Sequence, residues 1–470
     1  MTREQDLIGQ AWTAVSSGDS GARLDQPAGL RLTGAAGSLP SHFAVEEVAI
    51  GSVAAALLAA AALARQRGGR AGTVSLDRGH VSVAVRSERF FRVQGRPAGV
   101  GFAPLSRFWR VADGWVRTHA NYPWHRHALL RAMGVPEGAD AEALAPVLAA
   151  FPMEEIEERV FGAGGIATAV RTLDAWLAHP QGRALAAEPL IGHRMAGEGP
   201  PRPRPPAELP MAGVRVLDLT RVIAGPVCTR FLSALGAEVL RVDPPSRPDM
   251  RAGAVADNLL GKRSSFVNLG SPAGIAILHD LLSGADVVVC GYRPGALDRF
   301  GLAEEALAER HPGTVAVFID AWGHTGPWAH RRGFDSVVQA PTGISMGESS
   351  GGDEPSALPC QLLDHATGYL AAAATLDGLR RQELQGGTQV RRLSLARTAL
   401  WLTAQGTREA EGSSEIAEES HDSGWLVELD SGHGPVSAVA PPGTLGDEPL
   451  RWPFAFTGYG DVEAAWRTAS

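Results

Sequence analysis

The chain has 470 residues, 44% of them apolar and 20% charged, and its net charge is −8. That length allows about three units of ordinary domain size, and the composition is that of a folded globular protein rather than a disordered or fibrous one. The negative balance argues against nonspecific nucleic-acid binding, while leaving room for a local basic site for an anionic ligand.

The first ten residues, MTREQDLIGQ, carry acids and no apolar signal core, and no apolar run reaches the length of a membrane span without interruption. The three cysteines, Cys228, Cys290 and Cys360, are too widely spaced for a disulfide framework or a zinc pattern. The expectation is a cytoplasmic protein with no membrane partner. An Ala-rich helix is predicted over 45–65, its most apolar stretch (53–64) buried, and a strand over 73–76. Short helices near 124–133, 141–150 and 154–160 predict a small α+β lobe at about 100–190, within a first module of 1–196. Histidines 119, 125 and 127 stand among aromatics and read as structural rather than metal-binding. GAGGIA at 162–167 follows a charged helix instead of a strand, so it is no dinucleotide fingerprint.

The run 197–210, GEGPPRPRPPAELP, supports neither helix nor central strand and predicts a stiff linker over 197–212. Beyond it the pattern alternates: strand 214–219, helix 222–235, strand 238–242, helix 273–282, strand 286–290, helix 303–310 and strand 314–319. Strands apolar on both faces and separated by helices predict an α/β, doubly wound, Rossmann-like parallel sheet over 213–405, with ligands at the carboxyl ends of its strands. Residues 406–423 read as an exposed loop and 424–470 as a closing segment.

There is an internal echo. EVAIG at 47–51, its Ala-rich helix and VSL at 74–76 run in the same order as DHATG at 364–368, its Ala-rich helix and LSL at 393–395. In this matching the offset slips by two residues between helix and strand, and the reading is a degenerate duplicated segment.

An ordered series of motifs carries a resemblance. GVRVLDLTRVIAGP at 213–226 and LGAEVLRVD at 235–243 are followed by GKRS at 261–264, ADV at 285–287 and RPG at 293–295. GHTGP at 323–327, GFD at 333–335 and DHATG at 364–368 complete it. Over 213–400 the chain resembles family III CoA-transferases, a group that includes formyl-CoA and carnitine CoA-transferases and α-methylacyl-CoA racemases. DGW at 113–115, GIATAV at 165–170 and HPQ at 179–181 resemble the later half of the same family, so the halves stand rearranged and partly duplicated.

The resemblance implies a CoA-transferase that moves CoA between an acyl-CoA and a carboxylic acid, with Asp364 as nucleophile through a covalent aspartyl intermediate. It implies acyl-CoA as substrate, no permanently bound cofactor and no metal. Val222, Ile223, Ala224, Tyr292, Arg299, Arg332 and Lys262, the chain's one lysine, match positions near bound CoA. Glu47 is the echo of Asp364 and reads as structural. Gly291 stands where the family often has Asn. Phe334 stands where racemases carry a histidine base, which disfavours racemisation, with His365 and His330 as substitutes. The alternatives are an acyl-CoA racemase or isomerase, and a non-catalytic CoA-binding paralogue. A homodimer is compatible with the resemblance.

Overall fold

The computed structural model describes residues 2–17, 29–35, 39–69, 72–97, 101–249, 256–349, 351–408, 424–432 and 434–467. Helix α1 (Arg3–Ser16) opens with a capping box between Thr2 and Gln5. It is followed by β1 (Leu30–Thr33), α2 (Val45–Gln66), β2 (Val74–Asp77), α3 (Arg78–Ala84) and α4 (Ser87–Phe90). The small lobe holds β3 (Phe108–Val111), β4 (Gly114–Thr118), α5 (Pro123–Ala132), α6 (Ala141–Ala149), α7 (Met153–Gly162) and β5 (Ala167–Ala169). Its three strands form an antiparallel sheet over a hydrophobic cluster of their own. Helices α8 (Leu173–Ala178) and α9 (Pro180–Ala186) and strand β6 (Gly192–Ala196) lead back to the body.

The large unit then runs β7 (Arg215–Leu219), α10 (Ala224–Ala234), β8 (Glu238–Asp243), β9 (Lys262–Phe266), α11 (Pro272–Ser283), β10 (Val287–Cys290) and α12 (Glu304–Arg310). It continues with β11 (Val315–Asp320), α13 (Asp335–Val338), α14 (Leu362–Gln385), β12 (Thr388–Ser394) and α15 (Leu395–Thr403). Seven strands pair in the order β9-β8-β7-β10-β11-β12-β6. The first six are parallel and β6, from the N-terminal part, closes the edge antiparallel. All four residues of β10, VVVC, are buried, as a strand covered on both faces requires. The doubly wound sheet and the smaller lobe are the architecture expected. The antiparallel edge strand and β9 were not predicted; HRMA and KRSS carry charges and lack the apolar pattern of a covered strand. A hairpin of β13 (Leu426–Ser431) and β14 (Gly434–Val439) pairs with the short strand Arg92–Val93.

The helix predicted over 45–65 is α2, and its 22 residues have a window of mean hydropathy 2.0, long and apolar enough to cross a membrane. That corrects the expectation that no stretch reaches such a length; 94% of the window is buried within the protein. The reason is packing against α14. One hydrophobic cluster runs through Leu7 of α1, Val48 of α2, Val227 of α10 and Leu370 of α14. The proline-rich run is strapped to this body. Arg67 donates to the carbonyls of Pro205 and Pro210, and Arg204 pairs with Asp286 and Glu383. Of the loop expected at 406–423, residues 409–423 lie outside the described residues.

The echo is structural. Val45 and Leu362 open α2 and α14, and Asp77 and Ser394 close β2 and β12; both pairs stand 317 residues apart. The offset is therefore constant, and the two-residue slip read from the sequence is corrected: the strands match through their last residues. Each of those residues also caps the following helix, Asp77 for α3 and Ser394 for α15. Strand β1 pairs parallel with β2 as β11 does with β12, ending on Thr33↔Asp77 and Asp320↔Ser394. Gln66 donates to Glu383, its own equivalent, at 2.8 Å.

Candidate active site

The turn after β7 is built under strain. Helix α10 begins at Ala224, two residues later than predicted, because Val222 has φ +67° and Ile223, at φ −125° and ψ −56°, is not helical either. A β-branched residue such as Val222 in the left-handed region is rare and costs about 1–3 kcal/mol, so the surroundings must hold it. They do: the Val222 N–H donates to Asp249 at 3.1 Å and its carbonyl accepts from the Asn258 amide. Helix α14 lies against this turn at Gly368, where an added Cβ would stand 2.5 Å from the Ala224 carbonyl and 2.8 Å from Val227 Cβ. Glycine there lets the two helices meet.

Asp364 sits in the first turn of α14. Its main-chain N–H donates to the Asp335 carboxylate at 3.0 Å, so the cap of α14 comes from α13, while Gln361 at the N-cap position makes no side-chain cap bond. Asp364 is 6% exposed. Burial, then the charges of Asp335 and Glu88, push it well above the usual carboxylate range, against a hydrogen bond from the Ala224 main chain. Burial also lifts Asp335 to about 6, opposed by the N–H groups it accepts and by His365. Glu88 of α4 meets His365 Nε2 at 3.1 Å. Burial works against its ionisation, but the bond and charge of His365 outweigh that and hold it below the usual range. Asp335 and Glu88 were not singled out from sequence. Asp335 was visible within GFD; Glu88 carried no signal.

Of the three turn residues the resemblance places near CoA, Ala224 meets Asp364 through its main chain, and Val222 and Ile223 directly precede it. Lys262 does not join a ligand-facing surface. It opens β9, is fully buried, and its ammonium contacts Asp218 at 3.0 Å, the Pro226 carbonyl and the Thr229 hydroxyl. Burial brings it down to about 8, with Asp218 opposing. The lone lysine is thus the counter-ion of a buried strand aspartate, and the phosphate contact expected of it has no support in this geometry. Arginines take up the positive charge near the turn. Arg332 is lowered by burial and by Arg293 and Arg247, and Arg221 lies over the rings of Tyr122 and Trp124. Guanidiniums crowded at the carboxyl ends of parallel strands suit an anion. Tyr292, which burial pushes up to about 12, lies beside Arg221. Arg299 is exposed and lies over the ring of Phe300. At Gly291 a side chain would be tight, since a Cβ would approach Thr220 Cβ to 3.1 Å.

Phe334 is stacked on His119 of the small lobe, ring centroids 3.9 Å apart. Burial and the neighbouring His125 keep the His119 imidazole neutral, well below its usual range. His330 is exposed with Nδ1 at the Pro294 carbonyl, and His365 is engaged with Glu88. No group of three or more metal-capable side chains occurs among the described residues.

Residues 211–426 match the model of CoA-transferase family III. Acetyl-coenzyme A transferase nodX of Hypoxylon pulicicidum is 37% identical over 197 residues, 40% of this chain and 33% of that protein. Probable fatty acyl-CoA transferase Rv3272 of Mycobacterium tuberculosis is 33% identical over 208 residues, 42% of this chain and 52% of that one. Human succinyl-CoA:glutarate CoA-transferase is 34% identical over 211 residues, 42% and 48% of the two chains. A crystal structure of Rv3272 aligns over 42% of this chain and 56% of that one with 34% identity and a TM-score of 0.39, too low to add to the argument. The chain spans about half the length, or less, of these curated relatives. Over residues 211–426, then, this chain is similar to CoA-transferase family III.

Proposed function

We propose that the protein transfers CoA from an acyl-CoA to a carboxylic acid, with Asp364 as the covalent nucleophile. The observation that carries the reading is the meeting of Asp364 with the strained turn at Val222–Ala224 through Gly368. A carboxyl group inside a water-poor site and the loop expected to hold the nucleotide are joined by one close helix contact. The arginines beside the turn supply charge for the phosphates of CoA in place of Lys262.

The chemistry needs a carboxylate. Asp364 gives up its proton, then one oxygen attacks the thioester carbonyl, forming a mixed anhydride and releasing CoA thiolate. The thiolate attacks the Asp364 carbonyl, which expels the donor acid as its carboxylate and leaves an aspartyl-CoA thioester. The acceptor carboxylate attacks that thioester to form a second anhydride, again releasing thiolate. Attack of the thiolate on the acceptor carbonyl gives the new acyl-CoA and returns Asp364. No proton is consumed overall, and a buried site protects both anhydrides from water.

Racemisation is the weaker reading. Phe334 carries no proton, and the substitutes His330 and His365 face Pro294 and Glu88. The test is covalent. Full-length protein incubated with a panel of acyl-CoAs should yield a hydroxylamine-sensitive CoA adduct on the peptide that holds Asp364. Binding of acyl-CoA without any adduct across the panel would leave a CoA-binding protein without this chemistry.

A further inference from the structure

The catalytic helix and the N-terminal part of the chain meet at α4, whose position is fixed from two sides. Ser87 Oγ donates to Asp257 at 2.9 Å and accepts from Arg230 Nη2 at 2.8 Å, which ties the turn to the large unit beside α10. Arg89 Nη2 donates to the Pro359 carbonyl at 2.8 Å, which ties it to the segment entering α14. Phe91 directly after it is fully buried. Glu88 stands between these anchors, and its Oε2 meets His365 Nε2 at 3.1 Å. His365 is 1% exposed, and its Nδ1 has no hydrogen-bond partner among the described residues. A buried imidazole with one nitrogen fixed by a carboxylate has a defined orientation. Glu88 acts in turn on Asp364, next along the helix.

We infer that Glu88 is a positioning residue of the Asp364 site, supplied by the N-terminal part of the same chain. Through the 3.1 Å contact to Nε2 it orients His365, the residue that follows Asp364 on α14. The inference rests on the transferase reading and adds a residue to it. The groups around the nucleophile come from four elements. Asp335 faces it from α13, the Ala224 main chain from α10, Glu88 from α4, and His365 follows it on α14. Arg86, Arg89, Arg230 and Cys360 surround Glu88, and burial holds the Cys360 thiol neutral. A negative charge beside a carboxyl group delays its ionisation. Removing the charge of Glu88 therefore makes Asp364 ionise at lower pH.

The experiment follows Asp364–CoA adduct formation against pH in full-length protein, using the acyl-CoA that labels the parent. Glu88→Gln keeps the size and removes the charge; its acid limb should move to lower pH. Glu88→Asp keeps the charge and should retain the parental limb while losing rate through the lost His365 contact. A limb in Glu88→Gln that superimposes on the parent would overturn the inference. Should Glu88→Gln fail to fold, His365→Gln asks the same question from the other end of the bond. A limb displaced in either direction supports coupling, and coincidence with the parent overturns it. A parent that binds acyl-CoA yet never forms the adduct overturns the transferase reading and this inference with it. A parental adduct with unmoved variants overturns this inference alone.

Discussion

Helices α2 and α14 are two versions of one segment, set 317 residues apart, and they differ where chemistry would be done. At the first turn, Asp364 is buried among carboxyl groups and pushed toward the protonated form, while its counterpart Glu47 is bound by Arg408 at 2.7 Å. Deeper in the helix, Asp377 gathers Arg380, Arg381 and Arg391, all buried. The counterparts of these four are Ala60, Leu63, Ala64 and Val74, also buried and entirely apolar. The same backbone thus carries an ion-laced copy and a quiet, oily one. An active site needs an unneutralised carboxyl group; a structural helix is better without one.

The sharpest way to break this comparison is at the two carboxylates. Asp364→Asn should lower CoA transfer by about a thousandfold or more while keeping CoA affinity, since an amide is nearly isosteric and a poor nucleophile. Steady-state transfer and calorimetry read the two halves of that statement. Parental transfer by Asp364→Asn, or an adduct mapped to Glu47, would reverse the assignment of copies.

The buried ions come next. Asp377→Ala leaves three guanidiniums without their anion and should cost about 3–5 kcal/mol in denaturant unfolding. Converting all four positions to their counterparts, D377A/R380L/R381A/R391V, should recover most of that loss, because an apolar set of this kind already packs in α2. A quadruple variant no more stable than Asp377→Ala would show that the two copies are not interchangeable in packing.

The glycines give a smaller effect. Gly51 and Gly368 are equivalent, but a Cβ at Gly51 meets the Leu7 carbonyl at 3.2 Å, against 2.5 Å at Ala224 for Gly368. Gly368→Ala should cost about 1–3 kcal/mol and weaken CoA binding by moving the Val222 turn. Gly51→Ala should stay within about 1 kcal/mol, a tight contact offset by better helix propensity. Equal melting shifts for the two would sink the argument from close approach. Smallest of all, Glu47→Gln should change stability by about 1 kcal/mol or less, as a partly exposed ion pair does, and leave transfer unchanged.

Much of this was legible in the sequence, for a definable reason. Apolar strands such as VVVC and Ala-rich helices announce themselves through local pattern, so the parallel sheet and both long helices were readable, as was the position of Asp364 near a helix start. What failed was long-range. Nothing in the neighbourhood of Lys262 reveals that Asp218, 44 residues earlier, will claim its ammonium. Glu88 and His365 are 277 residues apart, and only the fold brings them together. The charged edge strand β6 gave no strand signal because an edge strand need not be apolar.

The bond from Gln66 to Glu383 has a further consequence. Each residue of that pair touches its own equivalent, as happens at the axis of a symmetric dimer. In an assembly of identical subunits every substitution arrives twice, so one side of such an axis cannot change without the other. Here both sides are encoded separately within one chain. A mutation at Gln66 leaves Glu383 as it was, and the two faces are free to drift apart. The contact can therefore be re-engineered one side at a time, with the untouched side as an internal control.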